Sequence, residues 1–491
     1  MNALARILEW PADPADELPM ALWDAVSVAR AVKGTAMGEF QLSGVEIDSR
    51  DVVPGDLFFA LKGETMDGHR FVEKALAAGA AAAVVDRPVD GPHVLVGDTN
   101  AALELLGKAA RERTGATIIG VTGSVGKTSV KEALFEALDR SSRGAAHRSV
   151  KSYNNHVGVP LSLARMPARA KFGIFEMGMN HAGEIAALTR QVRPHVAVIT
   201  AIAPAHIEML GSEEAIADAK AEIFEGLEPG GTAIIPADSP HYRRVRARAE
   251  ECGVAVVSFG RAAHADVRLL DAVPAAGSGS LVTADMGDRR LCYTIAAPGD
   301  HWIDNSLAIM AAVRAAGGDL GSAGLALGEM AGLAGRGARV EVEAKGGKAL
   351  VIDESYNANP ASMRATLAQL AATPARRRIA VLGAMKELGT HGPTYHAALA
   401  KPLADANVDF AVLVGEEMHA LAEELGKSGE MRKSAESSLG NAAPFAHCAD
   451  AGEALETLRR YGLERGDAVL VKGSNSVGLG ALVAALIRQE S

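Results

Sequence analysis

Residues 120–130 read GVTGSVGKTSV. Lys127 and Thr128 stand directly after a glycine-rich turn, with an apolar run (Ala116, Thr117, Ile118, Ile119) before it and a helical pattern of Val130, Leu134 and Leu138 after it. Such a strand, turn and helix can cradle phosphate. Gly123, Ser124 and Gly126 let backbone N–H groups converge on an anion, and the helix N-terminus adds positive potential. Lys127 can reach β- and γ-phosphates, and Thr128, beside Ser129, can offer its hydroxyl to magnesium. The spacing departs from G-x-x-x-x-G-K-[ST]: the first glycine position holds Val121, and Gly123 stands three before Gly126. A tight turn with no nucleotide is the alternative that these residues alone leave open.

Other polar residues fall at the carboxyl ends of apolar runs. Glu176 and His206 each come after a predicted strand (173–175 and 196–200), which would bring both to the edge that carries the phosphate loop. Carboxylate and imidazole suit Mg²⁺ or Mn²⁺, the hard cation favouring the carboxylate, although a lone histidine is more often structural. Asn154 and Asn155 precede a strand-like VGVP. Asp353 and Glu354 close a predicted strand, where an acidic residue can also cap the next helix. Tyr356, Asn357 and Asn359 form a polar turn before a helix beginning near Pro360, whose amides can receive a carboxylate.

The elements that must position these groups read as a soluble α/β chain. At 491 residues several domains are expected, and 52 glycines fit many strand-to-helix turns. A net charge of −10 excludes a nucleic-acid partner of the usual basic kind, and the short basic stretch Arg376–Arg378 reads as the solvated start of a strand. No apolar run approaches the roughly 20 residues of a membrane span, and the N-terminus lacks the parts of a secretion signal. Cys252, Cys292 and Cys448, far apart, read as buried reduced thiols of a cytoplasmic protein.

Short apolar strands alternating with helices divide the chain into three blocks. The first, 1–112, is a small α/β module with strands at 45–47, 57–61, 81–85 and 94–96. The second, 113–335, has strands at 173–177, 196–200, 232–235 and 254–259 after the phosphate-loop strand. The third, 336–491, is a Rossmann-like block with strands at 349–352, 378–382, 410–414 and 468–471. Parallel sheets covered on both faces are implied. Gly332–Gly337 (GLAGRG) reads as a hinge, and the cleft is expected between the second and third blocks.

The segments TGSVGKTSVKE (122–132), YNNHVGVP (153–160), FEMGMNHAGEI (175–185), AHIEMLGSEEAIADAKAEIFEGL (205–227), DESYNANPASM (353–363) and LGAMKELG (382–389) together resemble the Mur ligase family, in its order and over nearly the whole length. The resemblance implies ATP-dependent amide-bond formation. It is strongest to the member that joins D-alanyl-D-alanine to UDP-N-acetylmuramoyl-tripeptide, through an acyl phosphate. Other amide ligases of the family, of folylpolyglutamate or cyanophycin type, and a nucleotide-binding scaffold without ligase activity are the alternatives. The turn YNANPASM, with no DNPR-type signature, speaks against the former. The segment KGSNSVGLG (472–480) departs from the expected KGSRS by Asn475 in place of an arginine, and GDHWIDNSLAI (299–309) has Trp302 where asparagine is usual.

Carried onto this sequence, the resemblance implies a UDP-sugar-binding first block, with Ser49, Arg50 and Lys62 in the matching segments, a central ATPase block and an amine-binding third block. It implies an acyl-substrate role for Asn154 and Asn155, nucleotide contacts by Asn305 and Arg336, a ribose- or hinge-orienting role for Glu354, and amine-substrate contacts at Tyr356, Asn357 and Asn359. His206 becomes a magnesium ligand beside Thr128 and Glu176. Lys220, otherwise a solvated helix lysine, becomes a carbamoylated ligand in a site that can hold two Mg²⁺. A cytoplasmic monomer is expected.

Overall fold

The computed structural model describes residues 21–63, 66–204, 207–275, 279–330, 332–428 and 445–488. The chain forms two compact units, residues up to Gly115 with Val157–Ala170, and the remainder.

In the first unit the apolar runs become a five-stranded sheet in the order Thr35–Met37, His93–Leu95, Ala82–Val85, Asp56–Phe59, Gly44–Glu46, parallel except for the first pair. Leu57, Phe58 and Phe59 are buried in succession, which is why that strand reads as a continuous apolar run. The strand-like VGVP is instead the start of a helix, Gly158–Ala164. All seven of its residues are buried, so it shows no amphipathic period, and its valines suggest a strand. Trp23 Nε1 donates to Ala164 O at 2.9 Å, and Arg165 Nε donates to Val45 O at 2.6 Å while its Nη2 pairs with Glu46. Arg50 is exposed and paired with Asp48, Lys62 is paired with Asp86, and Ser49 is largely buried.

The second unit contains two sheets. The nine-stranded sheet runs Arg290–Ile295, Ser280–Asp285, Val267–Pro274, Ala255–Gly260, Thr232–Pro236, Val196–Ile199, Thr117–Thr122, Phe172–Glu176, Ala146–Arg148. Its last seven members are parallel; the 280–285 and 290–295 strands pair antiparallel. From Thr117–Thr122 the chain goes first to one side and then to the other, so the phosphate loop leaves the sheet at its switch point, where α/β sheets bind ligands. Glu176 lies opposite Val121 and Ile199 opposite Thr122, so the segments leaving those two strands emerge at the same edge. Val130, Leu134 and Leu138 of the helix Lys127–Ser142 are fully buried with Ile303 and Leu307 of the helix Asp300–Ala315.

The six-stranded sheet runs Ala338–Ala344, Gly347–Glu354, Asp467–Lys472, Arg377–Gly383, Phe410–Val414, Phe445–Cys448, parallel after the first, antiparallel pair. Of the basic stretch expected to be a solvated strand entry, Arg376 is exposed, but Arg377 and Arg378 open the strand and are partly buried. Arg377 holds Asp467 in a two-point pair, Nε to Oδ1 at 2.9 Å and Nη2 to Oδ2 at 2.6 Å, with the Asp467 side chain only 1% exposed. Arg378 donates to the Leu370 and Thr373 carbonyls. Arg377→Ala would leave that carboxylate buried without its cation, so a stability loss of about 3 kcal/mol is expected in urea unfolding. A loss under about 1 kcal/mol, the worth of a surface pair, would contradict the assignment.

Of the three thiols expected to be buried, only Cys448 is; Cys252 is half-buried and Cys292 exposed, the latter on the antiparallel strand 290–295 that the apolar runs did not reveal. Among the described residues no helix is long and apolar enough to cross a membrane.

Candidate active site

One cavity of about 640 Å³ in the second unit gathers most of the polar residues singled out in the sequence. Its walls include Gly123, Ser124, Gly126, Lys127, Thr128 and Ser129 of the phosphate loop, together with Asn154, Glu176, Lys220 and Asn305. Lining it too are Arg336, within the GLAGRG segment, and Glu354, Tyr356, Asn357 and Asn359 from beyond that segment. The expected meeting of second and third blocks is therefore present within this unit.

The loop's shape depends on its glycines. Gly123 has φ +150° and Gly126 φ +85°; a Cβ on Gly123 would collide with Thr200 Oγ1, and one on Gly126 would sit 2.9 Å from Asn305 Oδ1. Thr200 Oγ1 donates to Val125 O at 2.5 Å, and Ser124 Oγ donates to Ala203 O at 2.8 Å, tying the loop to the segment after the neighbouring strand. Lys127 Nζ donates to Gly123 O at 2.7 Å, folding the lysine back across the loop. Burial, only partly opposed by Glu176, holds its ammonium below the usual lysine range. Gly126→Ala introduces a left-handed alanine worth about 1 kcal/mol of strain and displaces Asn305. The expected outcome is weaker ATP binding by calorimetric titration with a lowered Tm; unchanged affinity would contradict this packing.

Beside the loop, Thr128 Oγ1 donates to Glu176 Oε2 at 2.8 Å and Asn154 Nδ2 donates to Glu176 Oε1 at 2.8 Å. The Glu176 carboxylate is buried and spanned by two neutral donors. Lys220, on the helix Glu213–Ala221, is 2% exposed instead of solvated, and its amine faces the same cavity. Burial, with Lys127 adding repulsion, pushes it well below the usual lysine range. His206 lies outside the described residues. Asn155 is exposed and does not line the cavity; Ser49 and Arg50 belong to the other unit.

On the opposite wall, Asp353 fixes the joint: its Oδ2 accepts from Gly335 N at 2.7 Å and its Oδ1 from Ser355 Oγ at 2.6 Å. Arg336 stacks on the Tyr356 ring at 4.3 Å and donates to Ser152 Oγ at 3.3 Å. Asn359 caps the helix Pro360–Ala372, its Oδ1 accepting from Ser362 N at 2.9 Å, which leaves its amide nitrogen for a ligand. The lining residues missed as site residues include Lys472 and His301. Lys472, 2% exposed, donates to Asn357 O at 2.9 Å and to Glu354 Oε2 at 3.4 Å; burial lowers its pKa. Its signal was the KGS turn at the carboxyl end of an apolar run. Desolvation, partly opposed by Glu354, holds the His301 imidazole below its usual range.

Residues 41–113 match the Mur ligase family catalytic domain, 121–313 the Mur ligase middle domain and 338–475 the Mur ligase glutamate ligase domain. A UDP-N-acetylmuramoyl-tripeptide–D-alanyl-D-alanine ligase of Synechocystis is 35% identical, the match covering 92% of this chain and 93% of that protein. The chain is a member of the Mur ligase family. The ligase of the same name from Escherichia coli is 33% identical to this Mur ligase over 91% of the chain and 94% of the relative. A crystal structure of MurF from Acinetobacter baumannii matches its fold with a TM-score of 0.80 at 29% identity, covering 95% of this chain and 99% of that one. A MurF from Thermotoga maritima, solved in complex with ADP, shares the fold with a TM-score of 0.70 at 24% identity, covering 91% and 97%. The three-part α/β architecture is that of a Mur ligase.

Proposed function

We propose that this chain joins D-alanyl-D-alanine to UDP-N-acetylmuramoyl-tripeptide with ATP, giving the UDP-linked pentapeptide, ADP and phosphate in peptidoglycan synthesis. The observation that carries the reading is that one cavity is lined both by Lys127 and Thr128 of the phosphate loop and by Arg336, Asn357 and Lys472. A phosphoryl-transfer edge thus shares its cavity with a cationic, amide-rich wall, as an enzyme that activates an acid and then offers it an amine requires.

A carboxylate is a poor electrophile, so the substrate carboxylate attacks the γ-phosphorus, ADP departs and an acyl phosphate forms. The amine of the dipeptide then attacks the acyl carbon, phosphate leaves with the C–O bond electrons, and the amine loses its proton. Lys127 and the loop amides stabilise charge on the transferring group. Arg336, held between Tyr356 and Ser152, is our assignment for a phosphate contact, and Asn305 for the base. Asn154 orients the acyl substrate; Glu354, Tyr356, Asn357 and Asn359 receive ribose or amine substrate. Ser49 and Arg50 are our candidates for UDP contacts in the first block.

Thr128 and Glu176 supply hard oxygen donors at the phosphate edge, and among the described residues no three His, Cys, Asp or Glu side chains cluster as a ready-made metal site. That donor set fits Mg²⁺, which binds through one or two protein oxygens plus substrate phosphates and water. Bound there, magnesium would neutralise phosphate charge. We assign His206 and a carbamoylated Lys220 as further ligands of that site, which can hold two Mg²⁺, and read the protein as a cytoplasmic monomer.

Product analysis tests this reading. After incubation with ATP, UDP-N-acetylmuramoyl-tripeptide and D-alanyl-D-alanine, mass spectrometry should find the tripeptide mass raised by one D-alanyl-D-alanine less water. ATP consumption without that product would overturn it.

A further inference from the structure

Lys131 is a fully buried cation outside the set of residues just assigned. It lies one turn beyond Lys127 on the helix Lys127–Ser142, turned into the protein rather than toward the cavity. Burying an ammonium is expensive unless every proton is matched, and here each has an acceptor. Nζ donates to Ser149 O at 3.0 Å and to Lys151 O at 2.7 Å, and it pairs with Glu132 Oε1 at 2.9 Å. Glu132 is in turn held by Arg148 Nε at 2.7 Å. An apolar side chain would fill this place in the helix with less desolvation, so the ammonium is there for the two carbonyls.

Those carbonyls belong to the turn that delivers two cavity residues. Lys151 has φ +54°, an unfavourable left-handed conformation for a residue with a side chain. Immediately after it come Ser152, which receives Arg336, and Asn154, which holds Glu176. The turn is also pinned from the sheet: Ser149 N donates to Ile174 O at 2.9 Å, Glu176 N donates to Ser149 Oγ at 3.1 Å, and Gly178 N donates to Asn154 O at 2.8 Å. Asn154 packs so closely over Gly178 that a Cβ there would lie 2.8 Å from Asn154 Cγ. The segment 149–154 is thus fastened at its ends by the sheet and in its middle, at the strained residue, by Lys131.

We propose that Lys131 is a positioning residue, a clamp that holds the 149–154 turn against the phosphate-loop helix so that Ser152 and Asn154 keep their places in the cavity. Asn154 is assigned to the acyl substrate, whereas Arg336 meets the turn only through the long 3.3 Å contact to Ser152 and keeps its stacking on Tyr356, so the clamp acts chiefly on recognition of the acyl substrate while the phosphate loop itself stays intact. This rests on the proposed reaction.

The test is steady-state kinetics of Lys131→Met in the full-length protein, varying ATP and UDP-N-acetylmuramoyl-tripeptide separately. Misplacement of a substrate-positioning group by about 1 Å is sufficient for losses of roughly 10- to 10²-fold. The KM for the tripeptide should rise by about that factor, while the KM for ATP changes by less than about threefold. Lys131→Arg, which keeps donors able to reach both carbonyls, should recover most of the tripeptide KM. A fall in kcat alone, or equal rises in both KM values, would assign Lys131 to general stability and overturn the clamp. If Lys131→Met does not fold, Lys131→Gln replaces it with the same expected split, and failure of both to fold also overturns the clamp. Wild-type protein run alongside separates the two claims: no turnover of the tripeptide by wild type would refute the proposed reaction, whereas turnover without the split would refute only the clamp.

Discussion

Lys127→Ala is expected to lower the rate of ATP-dependent ligation by about 10² to 10³ while leaving the fold intact, because one preorganised contact to developing phosphate charge is lost. Fold preservation is expected from where the amine sits. Its one protein partner among those described is the Gly123 carbonyl, within its own loop, and its ammonium is held below the usual lysine range by burial that a bound polyphosphate would offset. Removing it relieves a partly buried cation in the free protein and deprives only the liganded state. The readout is kcat with unfolding monitored in parallel. Near-normal turnover in a folded variant would take Lys127 out of the mechanism.

Lys220→Ala should be nearly as damaging, and the manner of its rescue is the informative part. Burial, and the neighbouring Lys127, push the Lys220 amine well below the usual lysine range, so it gives up its proton more readily and can then attack CO₂. Its lone pair would form the N–C bond, and loss of one proton would leave a carbamate whose oxygens suit a hard cation. A group that enters the cavity as an amine would thus serve as a carboxylate. Short carboxylic acids should partly restore activity to Lys220→Ala, and wild type should lose activity when CO₂ is rigorously removed. Full activity of the variant, or no response to acids or CO₂, would contradict a carbamate.

The parallel strands were legible because each is buried on both faces and reads as an unbroken apolar run; Phe410–Val414 has the same limits in sequence and structure. The strands 267–274, 280–285 and 290–295 were not, since the last two alternate buried with more exposed residues and the first buries only Val267, so none reads as an apolar run. The helix Gly158–Ala164 was misread for the opposite reason, being buried all round. In the site, residues beside glycine and asparagine turns were found, because turn chemistry leaves a local mark. Lys131 and Lys472 were not, because a lysine's burial is decided by distant carbonyls, Ser149 and Lys151 for one and Asn357 for the other, which no local pattern reveals.

The central claim is that this cavity couples ATP cleavage to the joining of one particular amine. It is tested most directly by phosphate release from ATP in the presence of UDP-N-acetylmuramoyl-tripeptide, offering D-alanyl-D-alanine, D-glutamate, L-lysine or meso-diaminopimelate in turn. Release with D-alanyl-D-alanine and with none of the other three is the predicted result. Release that tracks another amine, or that proceeds equally with no amine at all, would contradict it.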